Sequence, residues 1–182
     1  MFQTNGARRS VVPTPNGVIA FDLGMAGAGK SILVTGGPFD AYPYTDCDVG
    51  ICVRAEDVPP GVDAHVPIRD FDVPQDEAQL RQVLLWAFKA AIDGRRLYVG
   101  CMGGWGRTGL FLALMAKAAG VPEPIGYVRL NYTQKAVETR DQEKFVKTFD
   151  VSDLRREINR YAWVAFFKSW AGFLFPWMKT TH

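Results

Sequence analysis

The chain has 182 residues, 48% of them hydrophobic and 22% charged, with a formal net charge of +2. A single domain is the default at this length, and the chain is long enough to bury a sizeable core. Both signs of charge are dispersed, so no basic run points to nucleic acid. The three cysteines, Cys47, Cys52 and Cys101, do not make a disulfide framework and fit a reducing cytoplasm.

Residues 1–17 are polar and punctuated by Pro and Gly, and read as a loose N-terminal arm. Arg8 and Arg9 lie there without the apolar run of a secretory signal. Residues 18–22 have strand character. Gly24-Met25-Ala26-Gly27-Ala28-Gly29-Lys30-Ser31 then matches the Walker A nucleotide-binding pattern letter for letter. That pattern works only if a helix follows Lys-Ser, so that its N-terminus faces the phosphates. The β-branched run Ile32-Leu33-Val34-Thr35 follows instead, and then Gly36-Gly37-Pro38. The reading is therefore a hairpin connection between two strands, with a Lys30 nucleotidase as a distant alternative.

Residues 32–35 and 49–53 read as short buried strands separated by a turn-rich stretch, 36–48. Phe39, Tyr42 and Tyr44 in that stretch either pack or line a cleft. Cys47 and Cys52 read as small buried residues, with a resolving-thiol role as the alternative. Residues 64–68 form another strand, followed by Arg69-Asp70-Phe71-Asp72-Val73-Pro74. Taken alone, Asp70 and Asp72 are the loop or N-cap aspartates that commonly precede a helix. That helix spans 75–92, with Leu80, Leu84, Phe88 and Ile92 on one stripe and a stop at Gly94. It crosses back over the sheet and delivers 97–99 as a central parallel strand.

The segment from Arg96 to Gly109 carries the most chemistry. An apolar strand runs into a Gly-dense loop opened by Cys101 and closed by Arg107 and Thr108. A nearly all-apolar helix follows, 108–119, and stops at Gly120. Gly103, Gly104 and Gly106 allow successive backbone N–H groups to turn inward around an anion. The helix N-terminus beneath them adds partial positive charge, and Arg107 can grip two phosphate oxygens at once. The same field favours a thiolate at Cys101. Met102, Gly103, Gly104, Trp105, Gly106 and Arg107 are thus the candidate phosphate cradle, with Cys101 as nucleophile.

These residues, Cys-x-Gly-Gly-x-Gly-Arg-Thr-Gly, resemble the signature of the cysteine-dependent protein tyrosine phosphatases, most closely the compact dual-specificity branch. The resemblance covers about residues 32–149. It implies an α/β fold with a central, mostly parallel sheet flanked by helices, and phosphomonoester hydrolysis on a phosphorylated protein or peptide, with no metal or cofactor. It also places the general acid on the loop after the 64–68 strand, at Asp70, with Asp72 as runner-up. Thr108 is expected to hydrogen-bond the sulfur. Gln142 matches a glutamine on the helix that closes the catalytic domain, where a structural role is expected, and Arg129 is expected in a structural ion pair. One position departs from the family: Gly100 stands where His usually precedes the cysteine. That departure keeps open a phosphate-binding adaptor with little turnover. No basic residue lies between Cys101 and Arg107, which disfavours multiply charged head groups.

Beyond the catalytic domain (18–150), residues 151–182 form a C-terminal extension expected to be a helix rich in aromatics. Residues 151–160 are charged. The stretch bounded by Tyr161 and Met178 is almost wholly apolar, with Trp163, Phe166, Phe167, Trp170, Leu174 and Trp177 at helical spacing. Lys168 and Pro176 argue against a membrane span. The stretch is read as a helix folded over the sheet, with a membrane-interface helix or a homodimer contact as alternatives. The localisation expected is cytoplasmic, with membrane association tied to this segment.

Overall fold

The computed structural model describes residues 12–174, with side chains through residue 170. Its sheet contains β1 (Gly17–Asp22), β2 (Ser31–Pro38), β3 (Val49–Cys52), β4 (Ala64–His65) and β5 (Leu97–Cys101), in the order β1-β2-β5-β3-β4. β1 and β2 are antiparallel, and every other neighbouring pair is parallel. β5 is therefore central, and all five of its residues are buried. A strand covered on both faces needs the continuous apolar run that Leu97, Tyr98 and Val99 supply.

Alternation along β5 sorts the core into two sides. Leu97, Val99 and Cys101 join the main core with the long helices, whereas Tyr98 faces a smaller cluster of Phe39, Ala41 and Cys52. A 3₁₀ turn at Phe39–Tyr44 closes that second side. There the Phe39, Tyr42 and Tyr98 rings lie 5.4 to 6.3 Å apart. Phe39 and Tyr42 are thus packing residues, and Tyr44 is exposed.

Among the described residues, five α-helices complete the architecture: α1 (Glu77–Ile92), α2 (Gly106–Ala119), α3 (Pro124–Asn131), α4 (Arg140–Thr148) and α5 (Ser152–Leu174). The Asp76 carboxylate caps α1 by accepting from the Gln79 N–H at 2.9 Å, and Leu80, Leu84, Phe88 and Ile92 form its buried stripe. α2 is buried almost throughout and ends at Gly120 in the left-handed region, φ 100°. That burial fixes the loop that feeds it.

Two elements differ most from their expected bounds. β2 continues through Gly36, Gly37 and Pro38, where a turn was expected, because these glycines serve close approach. A Cβ on Gly37 would lie 2.5 Å from the Tyr98 hydroxyl, and one on Gly36 would lie 2.8 Å from the Tyr132 ring. β4 stops after two residues. Pro67 has no N–H for a ladder, and the Ile68 carbonyl accepts from Ala55 and Arg107 instead. α5 packs on α1 through buried Leu154, Ile158 and Ala162, but Trp163, Phe166, Phe167 and Trp170 are exposed. The folded-over reading holds only for its first half. Phe175, Trp177 and Met178 lie outside the described residues.

Candidate active site

The C-terminal ends of β5, β3 and β4 converge, because the three strands are parallel neighbours. The loop after β5 closes into α2 there. Cys101, Met102, Gly103, Trp105, Gly106 and Arg107 line a pocket of about 210 Å³ together with Asp70, Phe71 and Glu138. The Cys101 Sγ accepts from the Gly104 N–H at 3.2 Å and is nearly buried. Among the described residues, the N–H groups of Met102, Gly103, Trp105, Gly106 and Arg107 have no acceptor. They form the set of open donors that an anion requires.

Amides that point inward leave their carbonyls pointing outward, and those carbonyls need donors of their own. Asn16 Nδ2 donates to Gly103 O at 3.0 Å and to Gly104 O at 3.1 Å. The Tyr132 hydroxyl donates to Gly104 O at 2.5 Å. Neither side chain lines the pocket, so both brace the loop from behind. Burial pushes the Tyr132 phenol up from its ordinary value, which keeps it a donor. Asn16, read from the sequence as part of a loose arm, is fastened further by its N–H to Gly36 O at 2.8 Å.

Arg107 is 4% exposed, and both terminal nitrogens of its guanidinium meet carboxylates. Its Nη1 donates to both Glu56 carboxylate oxygens, at 2.7 and 2.8 Å, and to Ile68 O at 3.1 Å. Its Nη2 lies 3.2 Å from Asp70 Oδ1. Burial raises the Glu56 carboxyl, but the Arg107 guanidinium, a backbone N–H and Arg54 together outweigh that and hold it below the usual carboxylate range. Asp70 thus borders the pocket, whereas Asp72 Oδ1 is turned to the Val73 N–H at 2.8 Å and does not. Gln142 is fully buried. It donates to Asp72 O at 3.0 Å and accepts from the Glu138 N–H at 2.9 Å, tying the Asp70 loop to the segment before α4. Arg129 pairs with Glu143 at 2.9 Å and caps Ala136 O and Val137 O.

The glycines around the loop are packing requirements. A Cβ on Gly100 would lie 2.7 Å from Phe39 Cα and 2.8 Å from Gly37 O, both backbone atoms. Histidine does not fit there while the Phe39–Tyr44 turn crosses behind β5. A Cβ on Gly104 would strike the Gly37 backbone, and one on Gly106 the Glu138 carboxylate. The Thr108 hydroxyl, on the first turn of α2, is the buried side-chain polar atom without a partner among the described residues, so the bond to the Cys101 sulfur expected from the sequence is not made in this structure. Cys52 lies opposite Gly100 in register, on the other face of the sheet from Cys101, and Cys47 packs against the same cluster as Cys52, so neither faces Cys101 as a resolving thiol.

Sequence reading missed Glu56, Glu138, Asn16, Tyr132 and Arg54. Arg54 is 1% exposed, with Nη2 3.0 Å from Asp40 Oδ1 and Nη1 3.5 Å from Met102 Sδ. The signal for Arg54 and Glu56 was topological: they follow a strand parallel to β5, so they had to emerge over the loop. A more spacious recess, about 520 Å³, lies among Lys117, Pro122, Arg129 and Glu143, and none of the loop residues line it. Its Lys117 is committed to capping Val146, Lys147 and Phe149 carbonyls.

No family model matches the chain. Kinase associated phosphatase, in a form whose catalytic site cysteine is replaced by serine, superposes over 80% of this chain and 97% of its own, with a TM-score of 0.55 at 17% identity. The chain has the dual-specificity phosphatase-like fold. A mutant form of Tk-PTP superposes on this phosphatase-like chain with a TM-score of 0.50 at 25% identity, over 60% of this chain and 79% of that one. Two uncharacterized proteins of Methanocaldococcus jannaschii are also similar to it. One is 41% identical over 85 residues, 47% of this chain and 57% of the relative. The other is 40% identical over 82 residues, 45% and 51% respectively. The chain thus spans little more than half the length of the curated relatives it matches.

Proposed function

We propose that this chain is a cysteine-dependent phosphomonoester hydrolase acting on phosphorylated proteins or peptides, with a pocket that accepts phosphotyrosine and phosphoserine or phosphothreonine. The observation that carries this reading is one pocket holding Cys101, a set of unpaired loop N–H groups, Arg107 and Asp70. Phosphate enters with its equatorial oxygens on the loop amides and Arg107, which replaces its Asp70 contact with the ligand. The Cys101 thiolate attacks phosphorus in line, forming the S–P bond as the ester O–P bond breaks. Asp70 gives its proton to the leaving oxygen. Water then attacks phosphorus and passes a proton to Asp70, and the S–P bond breaks to return the thiolate. The Thr108 hydroxyl has no partner among the described residues and is free to turn to the sulfur in that second step, making it a better leaving group.

The adaptor reading rested on Gly100, and the crowding behind that residue supplies a packing reason for the glycine. The shallow rim of Met102, Phe71 and Trp105, all substantially exposed, suits an open surface substrate. The test is turnover of a chromogenic aryl phosphate with and without a chelator. Hydrolysis that survives chelation supports the cysteine enzyme. Tight binding of an oxyanion without turnover supports the adaptor.

A further inference from the structure

The distal half of α5 is the largest feature the catalytic reading leaves unused. Its first half faces α1 through Leu154, Ile158 and Ala162, each under 5% exposed, and Tyr161 donates to Asp93 at 2.7 Å. Past Ala162 the burial pattern inverts. Trp163, Phe166, Phe167 and Trp170 are 36 to 55% exposed. At helical spacing they share one stripe, turned away from the face that carries Leu154, Ile158 and Ala162. Their rings pack on one another: Trp163 lies 5.7 Å from Phe166 and 5.6 Å from Phe167. Arg156 and Arg160 precede Trp163 by seven and three residues, on the same side.

Charge decides what this stripe meets. No Asp or Glu follows Glu157, whereas Arg160, Lys168 and Lys179 do. A second copy would bring cation against cation. A surface of opposite sign would be drawn in by the same residues. The ring types agree, since Trp and Phe favour the boundary between headgroups and acyl chains, and a lysine at the flank can extend its amine back to the headgroups. Spanning is excluded for the described residues, because no helix among them is long and apolar enough to cross a membrane.

We propose that the distal half of α5 docks the chain onto an anionic lipid surface, lying in the plane of the interface with Trp163, Phe166, Phe167 and Trp170 inserted. This inference is independent of the catalytic reading.

The test is flotation of the full chain with vesicles of phosphatidylcholine alone, or of equal parts phosphatidylcholine and phosphatidylserine. The full chain should float with the mixed vesicles, bind the neutral ones at least about tenfold more weakly, and release as salt rises. The triple variant Phe166→Ser, Phe167→Ser, Trp170→Ser should lose about tenfold or more in binding to mixed vesicles while its melting temperature holds, because these side chains are exposed. Failure of the full chain to float with mixed vesicles would overturn the proposal. So would full binding by the triple variant, or a dimer in sedimentation that the three substitutions abolish.

Discussion

The chain carries two glycine-rich loops with anion-binding signatures, and they end as opposites. The loop at 24–31 joins antiparallel β1 and β2, with no helix after it. Its amides are used internally: Gly27 donates to Leu23 and Gly24, Ala28 to Met25, Gly29 to Gly24 and Lys30 to Gly27. The loop at 101–107 feeds a buried helix, and most of its amides have no acceptor among the described residues. The glycines differ too. Around Gly24 and Gly29 an added Cβ would meet nothing within 4 Å, whereas at Gly100 and Gly104 it would strike backbone. Glycine spacing alone does not make an anion site. The element that follows, and the donors that hold the outward carbonyls, decide whether N–H groups are left for a ligand.

The largest break in this comparison is Gly100→His. Forcing a side chain against Phe39 and Gly37 should destabilise the fold by about 3 kcal/mol or more by chemical denaturation. Gly29→Ala in the other loop has space and suffers only its left-handed backbone, φ 66°, a loss of about 1 kcal/mol. A Gly100→His variant as stable as the parent would show that the Phe39–Tyr44 turn does not set that position.

Next in size is the acid. Asp70→Asn should lower kcat about a hundredfold or more for alkyl phosphates, and far less for activated aryl phosphates whose leaving group needs no proton. If Asp72→Asn shows this leaving-group dependence and Asp70→Asn does not, the assignment moves by two residues.

The brace sharpens the contrast more finely. Asn16→Ala combined with Tyr132→Phe removes three hydrogen bonds from the backs of Gly103 and Gly104. Each net hydrogen bond contributes about 1 kcal/mol, so inhibition by vanadate should weaken at least about tenfold. Lys30→Ala, in the other loop, should leave both vanadate inhibition and melting temperature unchanged. Equal effects from the two loops would erase the distinction between them.

What the sequence made legible follows the range of the interactions. The loop, its strand and α2 could be read because strand, glycines and helix are contiguous, and the hairpin could be told from a nucleotide loop by the β-branched run after Lys30. The central, parallel place of the 97–99 strand followed from the crossover helix. Asn16 was opaque, because its partners lie 87 and 88 residues away and nothing local marks a polar residue in a Pro/Gly arm as a brace. Gly100 looked like a lost histidine because its reason is the backbone of a distant turn. Nothing local marked Glu56 and Glu138, which the topology places beside Arg107 and Gly106. The aromatic segment was legible as a helix, but composition alone did not say that its rings face away from the core.

The central claim is that residues 101–107 hold a phosphoryl group on sulfur. Rapid quench of the chain with an aryl phosphate, followed by mass spectrometry of the digested peptides, tests it most directly. The account predicts a transient phosphoryl adduct on the peptide containing Cys101, more persistent in Asp70→Asn, where water attack is unassisted, and absent in Cys101→Ser along with turnover. Steady hydrolysis by Cys101→Ser, or an adduct on any other peptide, would contradict it.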